Sequence, residues 1–109
     1  MAADSPQDML AAGRVDDAIV ALDQRVAANP KDAEAFNLLC HAFFQYEDWD
    51  RAESRCKIAT ELDPNNSRFH RWLGRVYGEK AGRANILSAA GLAGKTRDEF
   101  QHAARLDQE

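Results

Sequence analysis

The residues that could carry chemistry most directly lie near the end of the chain. Residues 89–96 read AAGLAGKT, in which Ala89 is followed by four residues and then by Gly94-Lys95-Thr96. A phosphate-binding loop follows a buried strand and is completed by an Asp that holds magnesium. The residues before Ala89, GRANILS, contain no run of β-branched residues. We interpret the match as accidental, with Lys95 a solvated residue on a helix, and expect no cofactor.

The histidines and cysteines are the next candidates, for metal binding or nucleophilic catalysis. His41, His70 and His102 show no paired spacing with one another or with Cys40 and Cys56, whereas zinc ligands usually come in closely spaced pairs. We therefore expect neither a metal site nor an enzyme. Two cysteines are too few for a disulfide framework. Buried free thiols are the preferred interpretation, and pairing with each other is the alternative.

Charge and hydropathy exclude two classes of partner. The net charge is −4 and the isoelectric point about 5.3, which argues against binding nucleic acid or an anionic membrane surface. No apolar stretch approaches 18 residues, so we expect no membrane insertion. The start, MAADSPQDML, lacks a basic and an apolar region and so is not a signal peptide. It also suits an exported mature chain, which leaves the compartment undetermined, with the cytoplasm slightly favoured.

Three arginines offer a chemistry of a different kind, the binding of acidic groups. Arg68, Arg71 and Arg75 follow the spacing i, i+3 and i+7, so all three side chains leave one face of a helix. Guanidinium groups can hold carboxylates through two parallel hydrogen bonds. The alternative is that these arginines solubilise the helix and pair with Glu79 or with acids across the groove. A charged helix face is commonly just solvated, so both interpretations stay open.

The elements that must position these residues are indicated by a fixed period. Pro30 and Pro64 recur at a spacing of about 34 residues, which is typical of stacked helical repeats. Between them, apolar residues recur at three- and four-residue steps in two stretches, which predicts two helices joined by a short turn. Asp32 and Asp48 suit the N-caps of these helices. The predicted core faces carry Phe36, Leu39, Cys40, Phe43 and Tyr46 on the first helix, and Trp49, Ala52, Cys56, Ala59 and Leu62 on the second.

These residues resemble the tetratricopeptide repeat. The family pattern is matched by Phe36, Leu39, Cys40, Phe43, Ala52, Cys56, Ala59 and Pro64, and its first half is repeated by His70, Leu73, Gly74 and Tyr77. The resemblance implies an all-α fold, a right-handed superhelical solenoid of about two and a half to three helix-turn-helix units. We divide the single domain 1–109 into a partial repeat (1–32), a full repeat (33–66) and an atypical repeat (67–109).

The outer units depart from the pattern. Ser5-Pro6 predicts the start of a short first helix, and Arg25 stands where the family has a small residue, so its side chain must turn outward or loosen the packing. In the last unit the pattern ends ten residues late. We predict a lengthened connection around Ala81–Asn85 and then a helix from about Leu87 to Leu106. Close packing is expected at the glycines of this helix, Gly91 and Gly94, since glycine costs helix stability.

The resemblance also implies a function, protein–protein interaction. In stacked helix pairs the first helices line a concave surface, which in this family takes a peptide. The residues expected to face that groove and bind the peptide are Asn37, His41, Phe44, Arg68, Arg71 and Arg75. We expect a protein or peptide partner, acidic if the arginines bind it. The alternative is a structural module that dimerises through the uncovered helix faces at its two ends.

Overall fold

The computed structural model describes residues 4–83 and 86–108, with the backbone alone described for 86–89. Helices follow one another along the whole of this described part, and no strand occurs in it. The predicted all-α class is therefore confirmed. In chain order the helices are α1 (Pro6–Ala11), α2 (Val15–Ala28), α3 (Ala33–Gln45), α4 (Trp49–Leu62), α5 (Ser67–Arg83) and α6 (Ile86–Gln108).

Three of the helices begin at the predicted caps. The side chains of Ser5, Asp32 and Asp48 each accept a hydrogen bond from the backbone N–H three residues later, at 3.1, 3.0 and 3.2 Å. Each bond satisfies one of the donors that the first turn of a helix leaves without a partner. The caps therefore fix where α1, α3 and α4 start.

The turn inside each of the first two helix pairs contains one residue with positive φ. Gly13 (φ 79°) follows α1 closely, and Glu47 (φ 57°) follows α3 at the equivalent place of the next repeat. The equivalent residue of the last unit is Ala81, and there the helix continues to Arg83. The connection predicted around Ala81–Asn85 is thus wrong for 81–83, while 84 and 85 lie outside the described residues. Alanine is the strongest helix former, and Gly82 offers no side chain to cap a new helix.

The helices pack in sequence, each against the next, and first helices also contact across the pairs, α1 with α3 and α3 with α5. Small side chains permit this approach, since Ala18, Ala52 and Ala59 are fully buried. Of the two outcomes expected for Arg25, the structure shows the outward turn of the side chain. Its guanidinium makes a two-pronged contact with Asp32 at 3.0–3.2 Å. The long side chain is thereby accommodated at the α2–α3 turn.

Two residues predicted for the core faces are exposed. Tyr46 is 50% exposed and Leu62 38%. Tyr46 is the C-cap of α3, and its hydroxyl donates to the carboxylate of Asp16; Leu62 is the last residue of α4. Periodicity alone extends a face to the end of its helix, whereas the neighbouring helices no longer cover the last turn.

The two cysteines form a disulfide, so the preferred interpretation as free thiols is wrong. Cys40 of α3 and Cys56 of α4 are both fully buried, with their Cα atoms 5.3 Å apart. The same contact in the last pair is made by Gly74 and Phe100: a Cβ added to Gly74 would lie 2.9 Å from the Phe100 ring. At this place the two helices of the middle pair are joined by a disulfide, whereas those of the last pair are in contact through an aromatic ring packed on a glycine.

The close helix packing predicted at Gly91 and Gly94 is not found at these residues. A Cβ added to either would meet no atom within 4 Å. The tight contacts of the last pair are made by α5, at Gly74 and, more loosely, at Gly78, where an added Cβ would lie 3.6 Å from Thr96. The prediction of close packing at the glycines of α6 is therefore wrong, because the glycines that meet the neighbouring helix of this pair belong to α5.

Candidate functional site

The first helices of the three pairs share one surface, which we call the groove. A cavity of about 420 Å³ in this surface spans all three helices. Its walls include Leu10 of α1, Leu38, His41 and Gln45 of α3, and Arg68 and Trp72 of α5. Apolar side chains thus form much of its interior, with polar and charged groups around them.

Aromatic rings form the centre of the groove. The imidazole of His41 packs against the indole of Trp72 with ring centroids 3.5 Å apart, and the ring of Phe44 meets Trp72 edge-on at 5.5 Å. Phe44 also contacts Trp49 of α4 edge-on at 4.9 Å. Contacts of this geometry add to the stability gained by burying the rings, so the surface is preformed.

A buried amide contacts the partly buried imidazole of this aromatic centre. Asn37 is 1% exposed, and its Nδ2 donates to His41 Nε2 at 3.2 Å. Burial lowers the pKa of His41 to about 4, and the charges of Arg75 and Arg68 act in the same direction. His41 is therefore neutral at pH 7, in keeping with a ring nitrogen that accepts. Asn37 Oδ1 is buried and has no hydrogen-bond partner among the described residues.

The three arginines lie exposed along α5, as their spacing predicted. Arg68 pairs with Glu34 of α3 at 3.0 Å, and Arg71 pairs with Asp107 of α6. Arg75 has no carboxylate at ion-pair distance among the side chains that the structure describes. Its guanidinium carbon lies 4.2 Å from the Trp72 ring centroid and 5.2 Å from that of Phe44, within the range of cation–π attraction.

Of the predicted groove residues, the structure brings His41, Phe44 and Arg75 together around one indole. It places Arg68 and Arg71 on the same exposed face, each beside an acid, and places Asn37 under the surface. A second, smaller cavity of about 140 Å³ is lined by the three arginines and Trp72.

Trp72 was missed as a site residue by the sequence reasoning. The signal that could have found it is its distance from Leu38: the two are one repeat period apart and so occupy equivalent places in successive repeats.

The comparison with known families agrees with this architecture. The family described as tetratricopeptide repeat matches residues 9–76. The chain belongs to that family. Tetratricopeptide repeats are generally protein-interaction modules and are typically non-catalytic.

Two known bacterial proteins are similar to part of this chain. The tetratricopeptide chain is 40% identical over 60 residues to cellulose synthase operon protein C of Escherichia coli strain K12, and equally to the putative cellulose synthase operon protein C of Escherichia coli O157:H7. The match covers 55% of this chain and 5% of each relative. The similarity therefore concerns a small segment of much longer proteins.

The residues that resemble a phosphate loop are helical in this tetratricopeptide fold. Gly94-Lys95-Thr96 lies within α6, where the Thr96 hydroxyl donates to the Leu92 carbonyl at 2.9 Å. The Lys95 ammonium is exposed and lies 5.4 Å from the Tyr77 ring centroid. A phosphate loop needs backbone N–H groups free to converge on the ligand, and a continuous helix uses them internally.

The described residues hold neither a cluster of metal ligands nor a membrane-spanning helix. Within them, no three His, Cys, Asp or Glu side chains converge as a metal site would require. None of the helices described combines the length and apolarity that crossing a bilayer demands.

Proposed function

We propose that this domain is an interaction module whose groove holds an extended peptide segment of a partner protein. The observation that carries the proposal is the cavity of about 420 Å³ built jointly by α1, α3 and α5. Its size lies within the range of roughly 300–1,000 Å³ found for ligand sites. Its composition, an apolar interior with a few polar groups, is also typical of such sites.

The ion pair at the groove is weak enough for a carboxylate of a partner to replace it. The ion pair between Arg68 and Glu34 is solvent-exposed, and such pairs contribute about 1 kcal/mol or less. A carboxylate of the partner can therefore replace Glu34 at little cost. The aromatic centre around Trp72 needs no rearrangement, since its rings already pack against one another.

Chemical-shift mapping tests the proposal. Peptides are selected from a random display library on the immobilised domain and then titrated into the ¹⁵N-labelled domain. We expect the backbone amide shifts to concentrate in α1, α3 and α5. Shifts confined to α2, α4 and α6, or a library that yields no binding peptide, would contradict the proposal.

A matched pair of variants locates the binding surface independently. Ala11 is exposed and lines the cavity, so Ala11→Phe should fill it and weaken binding. Ala27 is exposed on α2 and is not among the residues lining the cavity. Ala27→Phe, which adds the same ring elsewhere, should leave binding unchanged.

Self-assembly is the competing function, and two exposed apolar side chains favour it. Val20 of α2 is 59% exposed and Phe100 of α6 is 43% exposed, and exposed apolar surface can drive association. Light scattering over a concentration series separates the two functions. A mass that stays at the 12.1 kDa of one chain supports the peptide-binding module. A mass that rises with concentration, and that Val20→Ser returns to the monomer value, supports assembly.

A further inference from the structure

We propose that the groove selects extended peptides in which an aromatic or aliphatic side chain stands two residues from an Asp or Glu, with the apolar side chain in the larger of the two groove cavities and the carboxylate on Arg75. This inference rests on the proposed function and specifies the chemistry of the partner. Its basis is the arrangement of the two neighbouring cavities and the charge at each.

The larger cavity suits an apolar side chain. Leu10, Leu38 and Trp72 come from three different helices and enclose it. Leu10 and Leu38 are buried, at the edge of the main core cluster, and Trp72 is partly buried against that cluster. Removing further apolar surface from water here is favourable by about 25 cal/mol per Å², so an inserted ring or branched chain is stabilised.

The smaller cavity suits a carboxylate. Three of its four lining residues are arginines, and the fourth is Trp72. Two of those arginines already face acids, Arg68 with Glu34 and Arg71 with Asp107. Arg75 lies against Trp72 and Phe44 and has no carboxylate at ion-pair distance among the described side chains. It can therefore accept a ligand carboxylate without breaking an existing ion pair.

The two cavities are close enough to be occupied by one short segment. Arg68 and Trp72 line both of them, so the apolar site and the cationic site adjoin each other. In an extended peptide, side chains two residues apart project to the same side, about 7 Å from each other. An acidic side chain, rather than the carboxylate of a chain end, therefore has the geometry to accompany an apolar neighbour.

The experiment uses the peptides selected from the display library with their ends blocked, so that only side chains supply carboxylates. For the tightest peptide, affinity is measured with its acidic residue changed to the amide and, separately, with its apolar residue changed to Ser. We expect each change to weaken binding about tenfold or more, the loss expected for one charge-assisted contact or one buried side chain.

Variants of the domain assign each half of the preference. Arg75→Gln should remove the advantage of the acidic peptide over its amide form, whereas Arg105→Gln, the same change at an exposed arginine of α6 that lines neither cavity, should leave that advantage unchanged. Ala11→Phe should remove the advantage of the apolar residue, with Ala27→Phe as the control.

The outcomes separate this inference from the proposed function. Peptides that bind α1, α3 and α5 but show no preference for an acid beside an apolar residue overturn the inference alone. An acidic preference that survives Arg75→Gln, or that a free C-terminal carboxylate satisfies equally well, also overturns it. A library that yields no groove-binding peptide overturns the proposed function. The coupled loss in Arg75→Gln supports both.

Discussion

Removal of the disulfide should lower the stability of the domain by a predictable amount. The link between Cys40 and Cys56 closes a loop with a sequence separation of 16 residues. Closing a loop of this length in the unfolded chain stabilises the folded state by about 3 kcal/mol. In a domain of this size each kcal/mol corresponds to roughly 4–8 °C in the midpoint of thermal unfolding. Cys40→Ala/Cys56→Ala should therefore lower Tm by roughly 12–24 °C.

Circular dichroism at 222 nm, recorded with and without a reducing agent, measures this effect. The reductant should lower the Tm of the wild-type protein toward that of the double variant and leave the double variant itself unchanged. Mass spectrometry after alkylation reports whether the thiols were paired at the start. An equal Tm for the oxidised wild type and the double variant would refute the reasoning, since the link would then add nothing to stability.

Three further predictions concern pH, glycine and capping. His41 has a pKa of about 4 in the folded protein and 6.5 in the unfolded chain, so the unfolded chain binds more protons between these pH values. The free energy of unfolding should therefore fall by up to about 3 kcal/mol from pH 6.5 to 4. Urea titrations of His41→Gln should lack this loss. Gly91→Ala should stabilise the domain by about 1 kcal/mol. Gly74→Ala should stabilise it less or destabilise it, because an added Cβ would lie 2.9 Å from an aromatic ring. Equal changes of the two variants in the free energy of urea unfolding would contradict this prediction. Asp32→Ala removes a cap and a partly buried ion pair, so it should lower the free energy of unfolding by about 1–2 kcal/mol in the same assay. This loss should exceed that of Asp48→Ala. The reverse order would show that the ion pair does not stabilise the fold.

The features that could be predicted from the sequence are those set by local interactions. Ser5, Asp32 and Asp48 cap their helices as expected, because a cap is decided by residues within one turn. The period between Pro30 and Pro64 predicted the paired helices, since each repeat contacts mainly its neighbours. The exposed arginine face of α5 followed from helical spacing alone.

The features that could not be predicted depend on how one helix faces another. A separation of 16 residues between Cys40 and Cys56 does not show that they oppose each other, although the Gly74–Phe100 contact occupies the same place in the next pair. The burial of Asn37 and the central place of Trp72 likewise depend on the packing of α3 against α5. Periodicity places a residue on a face but does not say how deeply that face is covered.

The covalent link has a mechanical consequence for the groove. It holds α3 against α4 at a fixed separation, so the middle wall of the groove is its stiffest part. Each neighbouring wall is joined to that middle pair only by side-chain contacts and a turn. If the proposed peptide enters the groove and changes its width, we expect the displacement to fall on α1 and α5, which would tilt about an anchored α3.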